Sequence, residues 1–283
     1  MRLLVTGSAG FIGAALTARL ARDGHAVAGL DLAGGVDLRT DPLEPHVDGA
    51  DAVLHLAART GVRGAAPAAA YRDSNVHATA RLIAAAARAG VGRVLLASSS
   101  SVYAPALGAT PEDAPLAPRS AYGQTKLEAE ALCRASALDV VIVRFFTVYG
   151  PGQRPDMAFA RLIAAGLGGG RAPLLGDGRH VRDFTYVDDA VEGAVLALGR
   201  GRPGATYNVS GGRPVALQEA IEVLGAVMGR PVAVDRRRAH AADVARTHAS
   251  LTRARAELGY APVVGLRDGL ARQIGAARLA HAA

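Results

Sequence analysis

The sequence predicts an α/β fold, a doubly wound parallel sheet with helices on both faces and a smaller C-terminal substrate-binding subdomain. Three observations support this. Short apolar runs alternate with helical patterns up to Gly150, glycines follow the first apolar run, and looser Gly/Pro-rich sequence follows Gly150. Strands and helices that alternate in this way form a parallel sheet through right-handed crossovers. We assign residues 1–150 to the sheet domain and residues 151–283 to the subdomain, interleaved with the first.

Five apolar runs predict buried strands, and the segments between them predict helices. The strands are expected at Arg2–Thr6, Ala26–Asp31, Ala52–His55, Arg93–Ala97 and Val140–Arg144. The helices are expected at Phe11–Arg22, over an Ala-rich stretch from Ala68 to Ala89, and at Ser120–Ala135. Further helices are expected near Ala158–Ala165, Asp188–Leu198 and Leu217–Met228, with a strand near Phe184–Tyr186.

Composition excludes several classes of protein. The chain has 283 residues, of which 50% are hydrophobic and 20% charged, so it folds as a globular protein rather than remaining disordered. Its single cysteine, Cys133, excludes an intramolecular disulfide, and no Cys/His cluster has the spacing of a metal site. The sequence shows neither a signal peptide nor an apolar run of about 18 residues, and therefore predicts a cytoplasmic protein without a membrane partner.

The net charge of +7 is confined to one part of the chain. Residues 1–199 hold 19 basic and 19 acidic side chains, whereas residues 200–283 hold 13 arginines and 6 acidic side chains. This basic part contains only Tyr207 and Tyr260 as aromatic residues, so it lacks the stacking side chains of a single-strand binder. We expect no nucleic-acid partner and infer a basic rim around a small anionic molecule.

A glycine-rich turn, Gly7-Ser8-Ala9-Gly10-Phe11-Ile12-Gly13, lies between the first predicted strand and the first predicted helix. Glycines allow the backbone to approach a dinucleotide pyrophosphate, and the N–H groups at the start of the helix bind its charge. A plain tight turn is the alternative, which the flanking strand and helix disfavour.

Asp31 ends the second predicted strand, 18 residues beyond Gly13. A carboxylate at this place accepts hydrogen bonds from both hydroxyls of the adenosine ribose and repels a 2′-phosphate. The sequence therefore predicts NAD rather than NADP as cofactor. The alternative is an aspartate that only caps a loop.

Tyr122 and Lys126 are four residues apart and therefore lie on one face of a helix. A nearby ammonium stabilises a phenolate and lowers the pKa of the phenol toward the range useful for acid/base chemistry. Lys126 is the only lysine in a chain that otherwise uses arginine, which favours a specific role over a solvated surface pair. Ser98–Ser101 follow the fourth predicted strand, where their hydroxyls can donate to a developing oxyanion or cap local backbone groups.

Several motifs together resemble the extended short-chain dehydrogenase/reductases, specifically the NAD-dependent nucleotide-sugar epimerase/dehydratase group, whose sheet domain is a Rossmann fold. The resemblance covers Arg2 to Tyr260. It rests on the glycine turn, His55-Leu56-Ala57-Ala58, the serines before Val102-Tyr103, the Tyr122/Lys126 pair, and Val181-Arg182-Asp183-Phe184.

The resemblance implies a role for each matching residue. It makes Tyr122 the base, Lys126 its partner on the nicotinamide ribose, and Ser99 the catalytic hydroxyl. The implied cofactor-binding residues are Gly7, Gly10, Phe11, Ile12, Gly13, Asp31, Asp37, Leu38, Leu56, Ala57, Ala58, Tyr122 and Lys126. The implied substrate-binding residues are Arg63, Ser99, Ser100, Tyr122, Thr147, Arg154 and Arg182, with Arg182 on the diphosphate.

Three differences within the family refine the expected reaction. Dehydratases of this group usually carry Thr-Asp-Glu where this chain has Ser99-Ser100-Ser101. Arg144–Asp156 resembles the uronate-type 4-epimerases, in which the residues that match Thr147 and Arg154 contact the sugar carboxylate. Arg154 could instead pair with Asp156. Many relatives also have a diphosphate-binding arginine in the stretch that matches Ala239–Asp243, and here Arg236, Arg237 and Arg238 are the candidates to replace it.

The leading hypothesis is an NAD-dependent 4-epimerase of a UDP-hexose or UDP-uronate that acts through a transient 4-keto intermediate. The alternatives are an NAD-dependent dehydratase or oxidoreductase of an NDP-sugar, and a dinucleotide-binding protein without catalysis. Relatives resembling this chain pair through the two long helices near Ala68–Ala89 and Ser120–Ala135, so we expect a homodimer.

Overall fold

The computed structural model describes residues 1–63 and 66–282. Its strands are β1 (Arg2–Thr6), β2 (Ala26–Leu30), β3 (Ala52–His55), β4 (Arg93–Ser99), β5 (Val140–Phe145), β6 (Val148–Tyr149), β7 (Ala172–Leu175), β8 (Val181–Asp183), β9 (Thr185–Tyr186), β10 (Thr206–Val209), β11 (Pro214–Ala216) and β12 (Val234–Arg237). Its α-helices are α1 (Phe11–Arg22), α2 (Glu44–Val47), α3 (Ala68–Arg72), α4 (Ala78–Arg88), α5 (Ala121–Ala135), α6 (Ala158–Gly168), α7 (Val187–Arg200), α8 (Leu217–Met228) and α9 (Leu266–Ala282).

The central sheet has six parallel strands in the order β10-β5-β4-β3-β1-β2. The α/β doubly wound class predicted from the sequence is confirmed. All five predicted strands are present, and β4 and β5 extend slightly beyond their predicted ends. Because the strands run in one direction, their carboxyl ends meet at one edge of the sheet, where ligands of such folds bind.

Alternate residues of the central strands pack into two apolar cores, one on each face of the sheet. In β1, Leu3 and Val5 belong to the core that also contains α7, while Leu4 belongs to the core that contains α4. Leu95 and Leu96 of β4 divide in the same way. This period of two explains why the strands appear in the sequence as continuous apolar runs, since both faces are covered.

The sixth strand was missed by the sequence analysis. β10 comes from the part of the chain beyond residue 150 and pairs with β5. Its sequence, Thr-Tyr-Asn-Val, is half polar and forms no apolar run. Asn208 is nevertheless fully buried, because its side chain accepts from the Tyr103 hydroxyl and donates to the carbonyl of Thr110. Such pairing makes a buried polar strand possible.

The Ala-rich stretch predicted as one helix is a continuous helical segment with an irregular middle. α3 and α4 are joined by a π-helical turn, Asp73–His77. π turns inside α-helices often occur at functional sites, and this one brings Asn75 toward α5. Three two-stranded sheets, β6-β9, β8-β11 and β7-β12, form beyond the fifth strand. No helix among the described residues has the length and apolar character needed to cross a membrane.

Candidate active site

The glycine turn follows β1 at the carboxyl edge of the sheet. Gly7 has a φ of +72°, and a Cβ there would lie 2.6 Å from the backbone nitrogen of Ala57. A Cβ on Gly13 would overlap the carbonyl oxygen of Gly7. Gly10 is the N-cap of α1 and carries no side chain to cover the N–H groups of the first turn. The turn is therefore compact, and its helix start is open to a phosphate.

Asp31 lies beside this turn. Its carboxylate accepts hydrogen bonds from the backbone nitrogens of Ala9 (3.1 Å) and Ala33 (3.0 Å). These bonds hold the carboxylate at the end of β2 and next to the glycine turn, while leaving lone pairs for further donors. Asp31 therefore caps its loop, as the alternative interpretation of the sequence predicts. The same hydrogen bonds orient the carboxylate that a ribose would meet.

Two of the implied cofactor-binding residues, Asp37 and Leu38, are fixed by local contacts. Arg39 binds both carboxylate oxygens of Asp37, at 2.6–3.1 Å. This pairing lowers the pKa of Asp37 to about 2, so the group is a carboxylate throughout the neutral range. Leu38 is only 7% exposed and packs in the core on the α4 side of the sheet.

The loop after β3 is bound to β1. Leu56 donates to the carbonyl of Thr6 (3.1 Å), and Ala57 donates to the Thr6 hydroxyl (3.3 Å). Ala57 is also the residue that a side chain on Gly7 would strike. Leu56, Ala57 and Ala58 are partly exposed, so they can form a floor under a ligand on the glycine turn.

A chain of buried hydrogen bonds, which the sequence analysis did not anticipate, runs from β1 to α5. Thr79 donates to the carbonyl of Asn75 (2.6 Å), so its oxygen accepts from Nε2 of His55 (2.8 Å). Nδ1 of His55 then accepts from Thr6 (2.7 Å). Burial lowers the pKa of His55 to about 3, so the ring is neutral, as this pattern requires. The Asn75 side chain completes the chain by donating to Thr125 (3.0 Å), next to Lys126.

Tyr122 and Lys126 lie in the first turns of α5, whose N-cap Ser120 accepts from the nitrogen of Gly123 (3.0 Å). Lys126 is 4% exposed, and burial lowers its pKa to about 8. Its ammonium form still prevails at neutral pH. The sequence predicted that Lys126 would lower the pKa of Tyr122. In the structure, burial raises that pKa, and the Ser99 hydroxyl and the Arg154 guanidinium oppose the rise.

Ser99 ends β4 and caps a short 3₁₀ turn, Ser100–Val102. Its hydroxyl accepts from the nitrogen of Ser101 (3.1 Å) and donates to the Ser101 hydroxyl (3.2 Å). The same hydroxyl lowers the pKa of Tyr122, because it can form a hydrogen bond with the phenolate. The structure therefore places Ser99 close to Tyr122, with Lys126 one helical turn farther along α5, and Ser99 also has the capping role that its sequence context suggested.

A cavity opens beside this group, between the serine turn and the segment around residues 242–247. Three of the implied substrate-binding residues line it: Ser100, Thr147 and Arg182. Arg182 is half-buried and donates to the carbonyl of Val181 (2.8 Å). Burial lowers the pKa of Arg182, an effect that Asp243 offsets and Arg63 reinforces.

Arg63 and Arg154, the other implied substrate contacts, are held by carboxylates. Arg63 binds Asp243 at 2.7 and 2.8 Å, and Arg154 binds both oxygens of Asp156 at 2.8 and 2.9 Å. Arg154 also donates to the Thr60 hydroxyl. Neither arginine belongs to the cavity lining, although Arg154 is near enough to Tyr122 to affect its pKa.

The candidates to replace the missing late arginine lie elsewhere. Arg236 donates to the carbonyl of Asp177, and Arg237 and Arg238 are exposed. None of the three lines the cavity, which instead contains Arg119 and Arg246. Among the residues that the structure describes, no group of three or more His, Cys, Asp and Glu side chains is placed to hold a metal ion.

Comparisons with known proteins identify the family of the chain. Residues 3–210 match the model of the NAD dependent epimerase/dehydratase family. An uncharacterized UDP-glucose epimerase of Bacillus subtilis is 35% identical, with 97% of each chain covered. A dTDP-glucose 4,6-dehydratase of Streptomyces griseus is also 35% identical, over 96% of this chain and 92% of that protein.

A solved structure shares the whole fold. The UDP-glucuronic acid 4-epimerase of Bacillus cereus, in complex with UDP-glucuronic acid and NAD, superposes with a TM-score of 0.94 at 33% identity. The match covers 99% of this chain and 100% of that one. Overall identity is thus equal toward an epimerase and a dehydratase, so the reaction has to be argued from the site.

Proposed function

The chain belongs to the NAD dependent epimerase/dehydratase family, and from this premise we propose that it is an NAD-dependent 4-epimerase of a UDP-linked hexose or uronate. Epimerisation at C4 needs a base for one hydroxyl proton, a hydride acceptor that returns the hydride, and donors for the oxygen of the ketone. It needs no second acid/base pair. The alternative reaction, loss of water across C5 and C6, needs a carboxylic acid and a carboxylate beside the sugar.

The composition of the cavity wall is the observation that favours epimerisation. Ser100 and Ser101 line the cavity at the positions where dehydratases resembling this chain carry acidic side chains. One carboxylate, Asp243, is part of the lining, and it forms an ion pair with Arg63. Hydroxyl groups can bind a sugar oxygen, but they cannot remove the C5 proton and protonate the C6 leaving group at neutral pH.

The residues around the glycine turn fit NAD. The open first turn of α1 would hold the pyrophosphate, and Asp31, with its carboxylate already oriented, would hold the adenosine ribose. Asp37, Leu38 and Leu56–Ala58 would border the adenine side. When bound, NAD supplies the hydride acceptor, and the reduced form returns the hydride to the other face of C4.

The chain's own residues move the proton and stabilise the ketone oxygen. Tyr122 removes the C4 hydroxyl proton, and the Ser99 hydroxyl and the Arg154 guanidinium, which lower its pKa against the effect of burial, favour the phenolate that this step requires. Lys126, one helical turn farther along α5, retains most of its positive charge at pH 7 and would hold the nicotinamide ribose. Ser99 acts on the same phenol and can donate to the oxygen that develops at C4. On return of the hydride, Tyr122 gives its proton back, so the two half-reactions use one group.

The sugar class follows from the environment of Arg154. Because Asp156 neutralises its charge through two hydrogen bonds, a sugar carboxylate would gain hydrogen bonds from Arg154 but little net attraction. We therefore propose that both UDP-hexose and UDP-uronate are accepted, with Thr147 and Arg154 near C6 and Arg182 on the diphosphate.

Product analysis with a panel of UDP- and dTDP-sugars tests the proposal. The panel contains UDP-glucose, UDP-glucuronate and dTDP-glucose, and products are separated by chromatography and weighed by mass spectrometry. We expect C4 epimers of the UDP-sugars with unchanged mass and no reaction with the Tyr122→Phe variant. A product lighter by one water would assign the chain to the dehydratases. If none of the sugars gave a product, the proposal that the chain is an enzyme would be rejected.

We also propose a homodimer formed through the helical segment α3–α4 and α5, which pack against each other and expose Ala84 and Ala131 on their outer faces. Small side chains allow two such faces to approach closely. Light scattering at micromolar concentration should give twice the chain mass of 28.8 kDa. A monomer would reject this assembly.

A further inference from the structure

Three arginines converge on the substrate cavity: Arg119 at the start of α5, Arg182 on β8 and Arg246 in the segment that follows β12. None of the three forms a salt bridge within the described part of the chain. The cavity's carboxylate, Asp243, has only 2% of its side chain exposed and is bound by Arg63, which lies outside the lining. The cavity therefore carries three arginines without an ion-pair partner among the described residues, and its one carboxylate is bound by Arg63.

Arg246 differs from the other two arginines in one respect. Its Nε atom is buried and has no hydrogen-bond acceptor, whereas Arg182 donates to the carbonyl of Val181. A buried donor without an acceptor costs about 1–3 kcal/mol, and more when it is charged. Such an atom in a ligand cavity indicates that the acceptor comes from the ligand.

Backbone hydrogen bonds fix Arg246 beside Val181, the residue that precedes Arg182. Val181 donates to the carbonyl of Ala245 (2.9 Å), and Thr247 donates to the carbonyl of Val181 (3.1 Å), so Arg246 forms a parallel bridge with Val181. The residue that follows Val181 is Arg182. Two guanidinium groups that line one cavity are thus carried by paired backbone segments, an arrangement that suits a ligand with two adjacent anionic groups.

Two other polar side chains, one on β12 and one between β12 and Arg246, have partners of their own. His240 accepts through Nδ1 from the backbone nitrogen of Ala242 (3.1 Å) and so caps its own loop. Arg236 donates to the carbonyl of Asp177. Neither lines the cavity, although both lie in the part of the chain where the sequence analysis looked for a diphosphate ligand.

We propose that Arg246 binds the diphosphate of the nucleotide sugar together with Arg182, in place of the arginine that relatives carry earlier in the late segment. This inference rests on the proposed function and names a phosphate-binding residue for it. The diphosphate supplies the acceptor for the buried Nε and the negative charge that the three arginines lack. Because the arginine fork binds phosphate oxygens through Nε and an Nη together, lysine at this position replaces the charge but not the geometry.

Binding of UDP and of uridine to the NAD-loaded protein, measured by calorimetry without turnover, tests the assignment. We expect Arg246→Gln to weaken UDP at least about 10-fold and uridine less than about 3-fold, because only UDP carries the diphosphate. Arg246→Lys should fall between wild type and Arg246→Gln. The competing substitution, Arg236→Gln, should leave both affinities unchanged.

Three outcomes would overturn the inference: unchanged UDP affinity in Arg246→Gln, equal losses for UDP and uridine, or a UDP loss in Arg236→Gln instead. Thermal unfolding of each variant separates a binding defect from misfolding, since a substitution that removes a buried donor without an acceptor should not lower the melting temperature. A wild type that binds UDP through Arg246 but epimerises no sugar would reject the proposed function alone. A wild type that epimerises UDP-sugars, with Arg246→Gln fully active, would reject this inference alone.

Discussion

The glycine turn after β1 and the start of α5 both contribute to the site at the carboxyl edge of the sheet, but they depend on opposite features. In the glycine turn, residues 7–13 contribute backbone atoms, and Gly7, Gly10 and Gly13 are needed because they have no side chains. Space is so limited that a Cβ on Gly13 would overlap Gly7. At the start of α5, the proposed chemistry depends on side chains, namely a half-buried phenol and a buried ammonium group.

The contrast indicates which substitutions each region tolerates. Added atoms harm the glycine turn because nothing there can move away. At the start of α5, substitutions that remove side-chain atoms should lower catalytic activity. Removing the Lys126 ammonium should at the same time stabilise the fold, because a buried charge is lost. Stability and activity should therefore respond together in the first region and in opposite directions in the second.

The largest effect is expected at Tyr122. Tyr122→Phe keeps the ring packing and removes only the oxygen that we propose as the acceptor of the C4 proton. We expect kcat to fall about 10²–10⁴-fold, with NAD affinity and the free energy of unfolding nearly unchanged. Steady-state kinetics and NAD titration are the measurements.

Ser99→Ala serves as the graded comparison, because it removes one donor to the developing oxyanion while Tyr122 stays in place. Its kcat should fall about 10–10³-fold. Near-normal epimerisation by Tyr122→Phe would show that the active site does not lie at the start of α5.

Gly13→Ala should have the largest effect on stability. The added methyl group has to displace the backbone of the turn, which costs about 3 kcal/mol of unfolding free energy and also weakens NAD binding. Urea denaturation measures the first effect, and NAD titration measures the second.

Gly168→Ala is the matched control, because a Cβ at the end of α6 meets no atom within 4 Å. It should be neutral or stabilise the fold by up to about 1 kcal/mol. If the two alanine variants were equally stable, the tight packing of the turn would not matter.

Lys126→Met should stabilise the protein while abolishing activity. The folded-state pKa of Lys126, about 8, lies below the value of 10.5 for a free lysine. The unfolded state therefore binds more protons between these values, and holding the cation in the fold costs about 3 kcal/mol below pH 8. Because the cost disappears as pH rises from 8 to 10.5, the stability gain of Lys126→Met should be full at pH 7 and much smaller at pH 9.5.

Urea denaturation at the two pH values tests this. If Lys126→Met were less stable than wild type at pH 7, the ammonium would stabilise the folded state. The start of α5 would then respond to substitution in the same way as the glycine turn.

The smallest effect concerns Asp31. Asp31→Asn keeps one acceptor oxygen but removes the charge, so NAD affinity should fall about 10-fold, or about 1.4 kcal/mol. The preference for NAD over NADP should narrow, because the repulsion of a 2′-phosphate is lost, and UDP affinity should not change. Titration with both dinucleotides checks this, and equal affinities of the wild type for the two would contradict the role of Asp31.

Much of the cofactor side of this protein was determined by local sequence. The glycine turn, Asp31 and the Tyr122/Lys126 pair each depend on neighbours a few residues away, and a strand–turn–helix pattern or a four-residue spacing is visible in the chain itself. The alternating apolar runs likewise identified five of the six sheet strands, because strands buried on both faces have to be apolar.

Only the tertiary structure decided the substrate side. Asn208 is polar, and its strand became predictable only once Tyr103 and Thr110 supplied hydrogen-bond partners from about 100 residues away. Arg63 and Asp243 pair across 180 residues, Arg246 forms a backbone bridge with Val181, and burial reversed the expected pKa shift of Tyr122. Long-range pairing and burial depend on how the chain closes on itself, and neither leaves a periodic pattern in the sequence.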